Sequence, residues 1–307
     1  MSKDIAVLIH CYNESKTIKK VINGFKKALP EALIYVYDNN STDGTDKIAL
    51  KEGAIVKYEY RQGKGNVVRS MFKDIDADCY LMVDGDNTYS AKHAKEMCDY
   101  ILNKQADMVI GDRLSSTYFK ENKRPFHNFG NKIVTFFINF LFKSKVKDVM
   151  TGYRAFSYEF VKTFPVLSKG FEIETEMTIH TLDKNLLYKE IPIDYKDREN
   201  GSVSKLNTFR DGTKVIKTIA KLFKEYKPKQ FFNILSFVFF IISIVMAVPV
   251  FIEYFETGLV PRLPTLVFSG FMFVFSMLLL SCGIILEVVR NKHRQIFEMF
   301  YINSKRK

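Results

Sequence analysis

Cysteine is scarce in this chain and never clustered: Cys11, Cys79, Cys98 and Cys282 are the only four in 307 residues. They lack metal-ligand spacing and fall mostly in apolar segments. A disulfide framework is therefore not expected, and reduced thiols on the cytosolic side are. No internal repeat or low-complexity tract is present. No G-x-G-x-x-G follows the first apolar run, which argues against a dinucleotide fold, and the P-loop pattern G-x-x-x-x-G-K-[ST] does not occur. The N-terminus runs straight into a strand pattern, so no secretory signal peptide is expected. Acidic residues are the scarcer charge, 34 against 46 Lys and Arg, for a net charge of +12. Such a balance seeks phosphate, on nucleic acid or on an anionic membrane face.

The C-terminal quarter decides for the membrane and against nucleic acid. Residues 231–255 carry one charge, Glu253, and residues 266–289 carry one, Glu287. Each run exceeds the roughly 20 apolar residues that cross a bilayer, and each is apolar all round. Pro249 predicts a kink that neighbouring helices can tolerate. Lys221, Lys224, Lys227 and Lys229 precede the first run, and Arg290, Lys292, Arg294 and Lys305-Arg306-Lys307 follow the second. The linking loop, residues 256–265, has only Arg262 as a basic residue. The positive-inside rule then places both termini in the cytoplasm and predicts a multi-pass protein of the cytoplasmic (inner) membrane. Three regions are expected. Residues 1–228 form a cytosolic α/β domain ending in a juxtamembrane amphipathic helix over about 208–228. Residues 229–290 form a transmembrane hairpin, and 291–307 a basic tail.

Within the first region, short apolar runs alternate with helical patterns, predicting a mostly parallel sheet. The runs are Ile5–His10, Leu33–Asp38, Ala54–Tyr60, Tyr80–Val83, Asp107–Arg113 and Leu187–Tyr195. Ser15 is expected to N-cap a helix over residues 16–28. Polar residues recur where the runs end: Glu14, Asp38, Gly63 to Gly65, Asp84 and Asp86, Arg113. In open α/β sheets ligands collect at strand C-termini. Asp84-Gly85-Asp86 can aim two carboxylates at one hard cation that also carries phosphate oxygens. Alone it could equally be an Asp/Gly/Asn turn. Five such ends in succession favour a crevice for a phosphorylated, nucleotide-like ligand.

The ordered set Tyr12-Asn13-Glu14, Asp38-Asn-Asn-Ser-Thr-Asp43-Gly-Thr, Gly63-Lys64-Gly65, Asp84-Gly-Asp86, Gly111-Asp-Arg113, Asp148-Val-Met-Thr-Gly152-Tyr-Arg154 and Ser204-Lys205-Leu206 resembles family 2 glycosyltransferases of the GT-A fold. Within them it resembles the branch of polyprenyl-phosphate sugar synthases, such as dolichol-phosphate mannose synthases. The resemblance spans the soluble domain, with Asn39-Asn40 where the family often has Asp-Gly. It implies a nucleotide-sugar donor, a polyprenyl phosphate acceptor and Mn²⁺ or Mg²⁺ on Asp84 and Asp86. It implies donor contacts from Tyr12, Glu14, Asp38, Gly63, Lys64 and Asp84, and chemistry around Asp86, Arg113 and Asp148. The expected reaction is inverting transfer of one sugar, from UDP-glucose or UDP-N-acetylglucosamine, to undecaprenyl phosphate or a similar lipid.

A phosphate acceptor is largely dianionic at pH 7, since its second pKa is roughly 6. It needs cations to position it more than a base, so Asp148 is expected to orient or to tune charge. Arg198 and Lys205, in a Gly/Ser loop, are first candidates for the acceptor phosphate, with Arg124 and Lys132 next. The Phe-rich segment 124–143 fits an amphipathic helix in the membrane interface or a helix packed on the sheet. Among Glu172, Glu174 and Glu176, helical spacing allows one or two to face the site. Rival readings are a processive polysaccharide synthase, an enzyme acting on another glycolipid, and a silent membrane scaffold. The first resembles enzymes carrying Q-x-x-R-W, and this chain has no tryptophan. Oligomeric state is left open.

Overall fold

The computed structural model describes residues 4–115, 129–170, 172–196 and 220–304. The chain divides into two compact units, Met1–Gly212 with Met299–Lys307, and Thr213–Glu298.

The first unit is built on a seven-stranded, mostly parallel sheet. In chain order its strands are β1 (Ile5–Cys11), β2 (Leu33–Asp38), β3 (Ile55–Tyr58), β4 (Cys79–Asp84), β5 (Met108–Asp112), β6 (Arg154–Ser157) and β7 (Tyr188–Pro192). Their order across the sheet is β3-β2-β1-β4-β6-β5-β7, with only β6 antiparallel to its neighbours. Val7, Leu8 and Ile9 are wholly buried, as a strand covered on both faces requires. After β1 the chain fills one side with β2 and β3, then returns to place β4 on the other. The loops after β1 and β4 therefore diverge at a switch point, where doubly wound sheets bind ligands. The register sets His10 beside Asp84 and Cys11 beside Asp38, so three strand ends stand in line.

Helices α1 (Ile18–Ala28), α2 (Thr45–Lys51), α3 (Lys64–Asp74) and α4 (Ala94–Leu102) alternate with the strands. In α1 the buried residues are Ile18, Val21, Ile22 and Phe25, the i, i+3, i+4, i+7 face. The expected cap at Ser15 is corrected: Thr17 holds the N-cap position without a side-chain capping bond, its hydroxyl donating instead to the Gly85 carbonyl, and the Ser15 amide donates to Asp43. Next come α5 (Phe129–Phe142), α6 (Tyr158–Thr163) and α7 (Ile173–Asp183). On α5 the reading of a helix packed on the domain holds for one face. Val134, Ile138 and Leu141 are buried against the domain, while Phe136 and Phe140 are 65% and 70% exposed.

The second unit holds α8 (Pro228–Thr257), and α9 (Leu263–Ser304) begins there. Both are long and apolar enough to cross a bilayer. Small residues recur every seventh position along the seam: Ser236 and Ser243 on α8, and Ser269, Ser276 and Gly283 on α9, all buried. Ser236 donates to the Ser276 carbonyl and Ser243 to the Ser269 carbonyl, both at 2.8 Å. Small side chains let the backbones approach, and the hydroxyls join them. Residues 291–304, expected as a separate tail, continue α9 as helix. Of the expected juxtamembrane helix, residues 220–226 are helical and 208–219 lie outside the described residues.

Candidate active site

The C-terminal edge of the sheet is held open by short polar loops whose sharpest positions are asparagines. Asn13, Asn40 and Asn87 have φ of 57°, 66° and 60°, the left-handed region that asparagine tolerates through local hydrogen bonds. The loops after β1 and β2 clasp each other. Thr42 N–H donates to Asn13 Oδ1 at 2.8 Å, Asn13 N–H to Ser41 Oγ at 2.9 Å and Glu14 N–H to Thr45 Oγ1 at 2.9 Å. Tyr12 and Glu14 are thereby placed on a stiff rim, half-buried. Asp38 lies under it, 3% exposed. Its Oδ1 accepts from Ser41 N–H at 2.8 Å, while its Oδ2 has no hydrogen-bond partner among the described residues. A buried acceptor without a donor is costly, and a ligand N–H or O–H would satisfy it. Asn39 is spent on architecture, donating to the Glu59 and Arg61 carbonyls and accepting from Gly63 N–H.

Gly63, expected as a donor contact, and Gly65 have a packing reason. Gly63 has φ 128°, and a side chain at either position would run into the carbonyls of Lys169 and Ser168. Gly65 N–H bonds the Lys169 carbonyl at 3.1 Å. Between these glycines Lys64 points inward. Its ammonium is 2.5 Å from Asp84 Oδ1 and 2.6 Å from Glu174 Oε1, with the side chain 1% exposed. Burial works against the charged amine, but Asp84 and Glu174 outweigh it and hold Lys64 above the usual lysine range. Burial likewise opposes ionisation of Asp84, and Lys64 and His10 outweigh it and hold Asp84 well below the usual carboxylate range. His10 Nδ1 lies 3.2 Å from Asp84 Oδ1. Asp86, 5% exposed, accepts from Thr88 N–H and Oγ1–H at 3.2 and 2.7 Å.

A second cluster sits across the antiparallel strand. Arg113 meets Asp148 by Nε at 2.7 Å and Nη2 at 3.0 Å, and Asp148 is fully buried. Asn131 Nδ2 and Met150 N–H also donate to Asp148 Oδ1. Burial favours the neutral acid, but Arg113 prevails and keeps Asp148 below the usual range. Arg154, fully buried on β6, ties down the intervening turn through the Val149 and Thr151 carbonyls and Thr178. Burial pulls its pKa down to about 10. Tyr89 joins the clusters, its oxygen accepting from Gly152 N–H at 3.0 Å while its ring meets Tyr195, over which Arg113 lies at 5.8 Å. The structure thus links Lys64, Asp84, Gly152, Tyr89, Tyr195, Arg113 and Asp148 in one chain of contacts.

Of the three glutamates left open in the sequence, the fold brings Glu174 to this cluster, and Tyr89, Arg154 and Tyr195 join it without having been candidate site residues. Lys132 is exposed on α5 beside Asn131. Arg124, Arg198 and Lys205 lie outside the described residues. Among the described residues no three His, Cys, Asp or Glu side chains form a metal-binding group. The donor set nonetheless suits an ion that brings phosphate oxygens with it, because Mg²⁺-like ions need only one or two carboxylates from the protein.

Comparison with known proteins follows the same geometry. Residues 6–164 match the family described as Glycosyl transferase family 2. Glycosyltransferase AglJ of Haloferax volcanii is 31% identical over 292 residues, which cover 95% of each chain. The dolichyl-phosphate hexose transferase of the same organism is 28% identical over 219 residues, covering 71% of this chain and 93% of that one. The crystal structure of glucosyl-3-phosphoglycerate synthase from Mycobacterium tuberculosis, with Mn²⁺, UDP and glucosyl-3-phosphoglycerate, superposes with a TM-score of 0.59 at 19% identity. It covers 73% of this chain and 80% of that chain, a likeness of fold.

Proposed function

The chain belongs to glycosyl transferase family 2, and we propose that it moves one sugar, with inversion, from a nucleoside diphosphate to a polyprenyl phosphate at the inner leaflet. The observation that carries this reading is the row of strand ends at the switch point: Asp38 with an unsatisfied buried oxygen, Asp84 and Asp86, then Arg113 held by Asp148. Asp38, Glu14 and Tyr12 receive the nucleoside, with the Asp38 Oδ2 lone pair taking a ligand donor. The departing diphosphate gains negative charge. Arg113 meets that charge from a fixed position, since Asp148 aims its guanidinium and Tyr195 backs it. A divalent ion, Mn²⁺ or Mg²⁺, would supply further charge neutralisation on the diphosphate, held by Asp86 of the D-x-D pair, since Asp84 is engaged by Lys64.

Asp148 suits orientation and not proton abstraction. Its oxygens are taken by Arg113, Asn131 and Met150, and its pKa is held low. An acceptor that is already a phosphate dianion needs no base. The exposed Phe136 and Phe140 on α5, with Lys132 on the same helix, suit the interface of an anionic leaflet. Two helices able to span the bilayer support a membrane-bound enzyme, in which the basic flanks put both termini in the cytoplasm. Arg198 and Lys205 are the proposed acceptor-phosphate cations, and UDP-glucose and UDP-N-acetylglucosamine the proposed donors.

The test is direct turnover: purified protein, radiolabelled nucleotide sugars, Mn²⁺ and undecaprenyl phosphate. A labelled polyprenyl phosphate sugar is expected. Transfer only to a preformed glycolipid, or none with any nucleotide sugar, would overturn the reading.

A further inference from the structure

Lys64, Asp84 and Glu174 come from three separate places, the start of α3, the end of β4 and the first turn of α7. They meet around one ammonium. Asp84 Oδ1 and Glu174 Oε1 stand 2.5 and 2.6 Å from Lys64 Nζ. Gly152 closes another side, because a Cβ there would lie 2.8 Å from Lys64 Nζ and 2.6 Å from Asp84 Oδ2. His10 covers Asp84 Oδ1 from β1. A buried pair of this kind is weak evidence of a stabilising role, since well-packed apolar residues often serve as well or better. The ammonium instead sits where a small cation would sit between two carboxylates. Two carboxylates and one ammonium leave one net negative charge, and Asp86 follows Asp84 by two residues.

We propose that Glu174 is a positioning residue of the donor site: with Asp84 it seats the Lys64 ammonium as a built-in cation, which closes Asp84 to free divalent metal and leaves Asp86 to take the metal that arrives on the donor diphosphate. The proposal deepens the functional reading above and rests on it for the donor. Metal and donor then enter together. Free Mn²⁺ finds one carboxylate with no phosphate beside it, and the metal–diphosphate complex brings the oxygens that complete the ion's shell.

The experiment follows Mn²⁺ binding to the full-length protein in detergent by electron paramagnetic resonance, first alone, then with UDP or GDP. Wild type is expected to bind Mn²⁺ about ten-fold or more tightly with the nucleotide than without it. Lys64→Met keeps the chain length and removes the charge. It should raise nucleotide-free Mn²⁺ affinity by about ten-fold or more, because Asp84 and Glu174 then face an open seat. Lys64→Met combined with Glu174→Gln should return to the wild-type value, which a purely structural role for Glu174 does not predict. Unchanged nucleotide-free affinity in Lys64→Met overturns the proposal. Where that variant fails to fold, wild type decides, and Mn²⁺ bound equally well with and without a bound nucleotide overturns it. If calorimetry shows that neither UDP nor GDP binds, the functional reading fails by itself, and the gain in Lys64→Met still decides this one.

Discussion

Arg113 grips Asp148 with two parallel bonds, Nε to Oδ2 at 2.7 Å and Nη2 to Oδ1 at 3.0 Å, across 35 residues of chain. Fork-on-carboxylate geometry fixes direction as well as charge. The carboxylate is fully buried and the guanidinium side chain 14% exposed, so the pair hides its anion and presents its cation. Asp148→Asn should leave donor KM nearly unchanged and lower kcat roughly ten- to hundred-fold, since charge-assisted hydrogen bonds are worth about 1.5–3 kcal/mol. Arg113→Lys should fall similarly, because an ammonium cannot reproduce the fork. Steady-state transfer assays check this, and wild-type kcat in both variants would refute it.

The same pair sets a pH dependence. Burial opposes ionisation of Asp148, yet Arg113 holds its folded pKa below the unfolded value of about 3.9. A depressed carboxylate contributes stability that is fully present above the unfolded pKa and is lost as pH falls through the folded one. Asp84 behaves alike through Lys64 and His10. Thermal unfolding in detergent should therefore change little through these groups down to about pH 4 and decline below it. The decline should be shallower in Asp148→Asn. Parallel wild-type and variant curves below pH 4 would show that Asp148 is not coupled to folding.

The sheet was largely legible because a strand covered on both faces needs an unbroken apolar run. β1, β2, β4 and β5 begin and end within about two residues of their runs. β6 was not legible. It is four residues long and opens with Arg154, a charge that reads as surface until the Val149 and Thr151 carbonyls are seen to receive it. Ser15 misled for a related reason, since Asp43 on a neighbouring loop takes its amide and the helix starts later. Glu172, Glu174 and Glu176 look alike in sequence. Only the fold, which brings Lys64 to Glu174 and the amides of Leu167 and Ser168 to Glu176, separates them.

Two glycines of the site should answer differently to alanine. At Gly152 a Cβ would fall 2.6 Å from Asp84 Oδ2 and 2.8 Å from Lys64 Nζ, both held by other partners. Gly152→Ala should keep the fold and lose most transfer, by displacing the D-x-D carboxylate. At Gly63 the obstruction is backbone and φ is 128°, so Gly63→Ala should cost about 1–3 kcal/mol of stability. Melting curves and turnover measured on both variants check the contrast. Equal melting temperatures would remove the packing account of Gly63.

The hairpin gives the last prediction, which joins packing to topology. Ser243 and Ser269 meet where α8 and α9 approach, and neither position has room for a large side chain if the heptad of small residues is to keep the helices close. Ser243→Leu should part the helices without shortening either, whereas Ser243→Ala should cost only about 0.6 kcal/mol, the average for interhelical hydrogen bonds in a membrane. Topology can be read in the same background. Gly258, at the end of α8 with φ 71°, lies in the loop whose only basic residue is Arg262. Cys282 is the one exposed native thiol, so it is replaced first by serine. Gly258→Cys in that background should then react with a membrane-impermeant thiol reagent on intact cells. Labelling of Gly258→Cys only after lysis would turn the hairpin over and put the catalytic domain on the far side. The basic flanks argue against that outcome, because three lysines precede α8 and a fourth, Lys229, lies in its first turn, all within residues 221–229, while the loop offers one arginine.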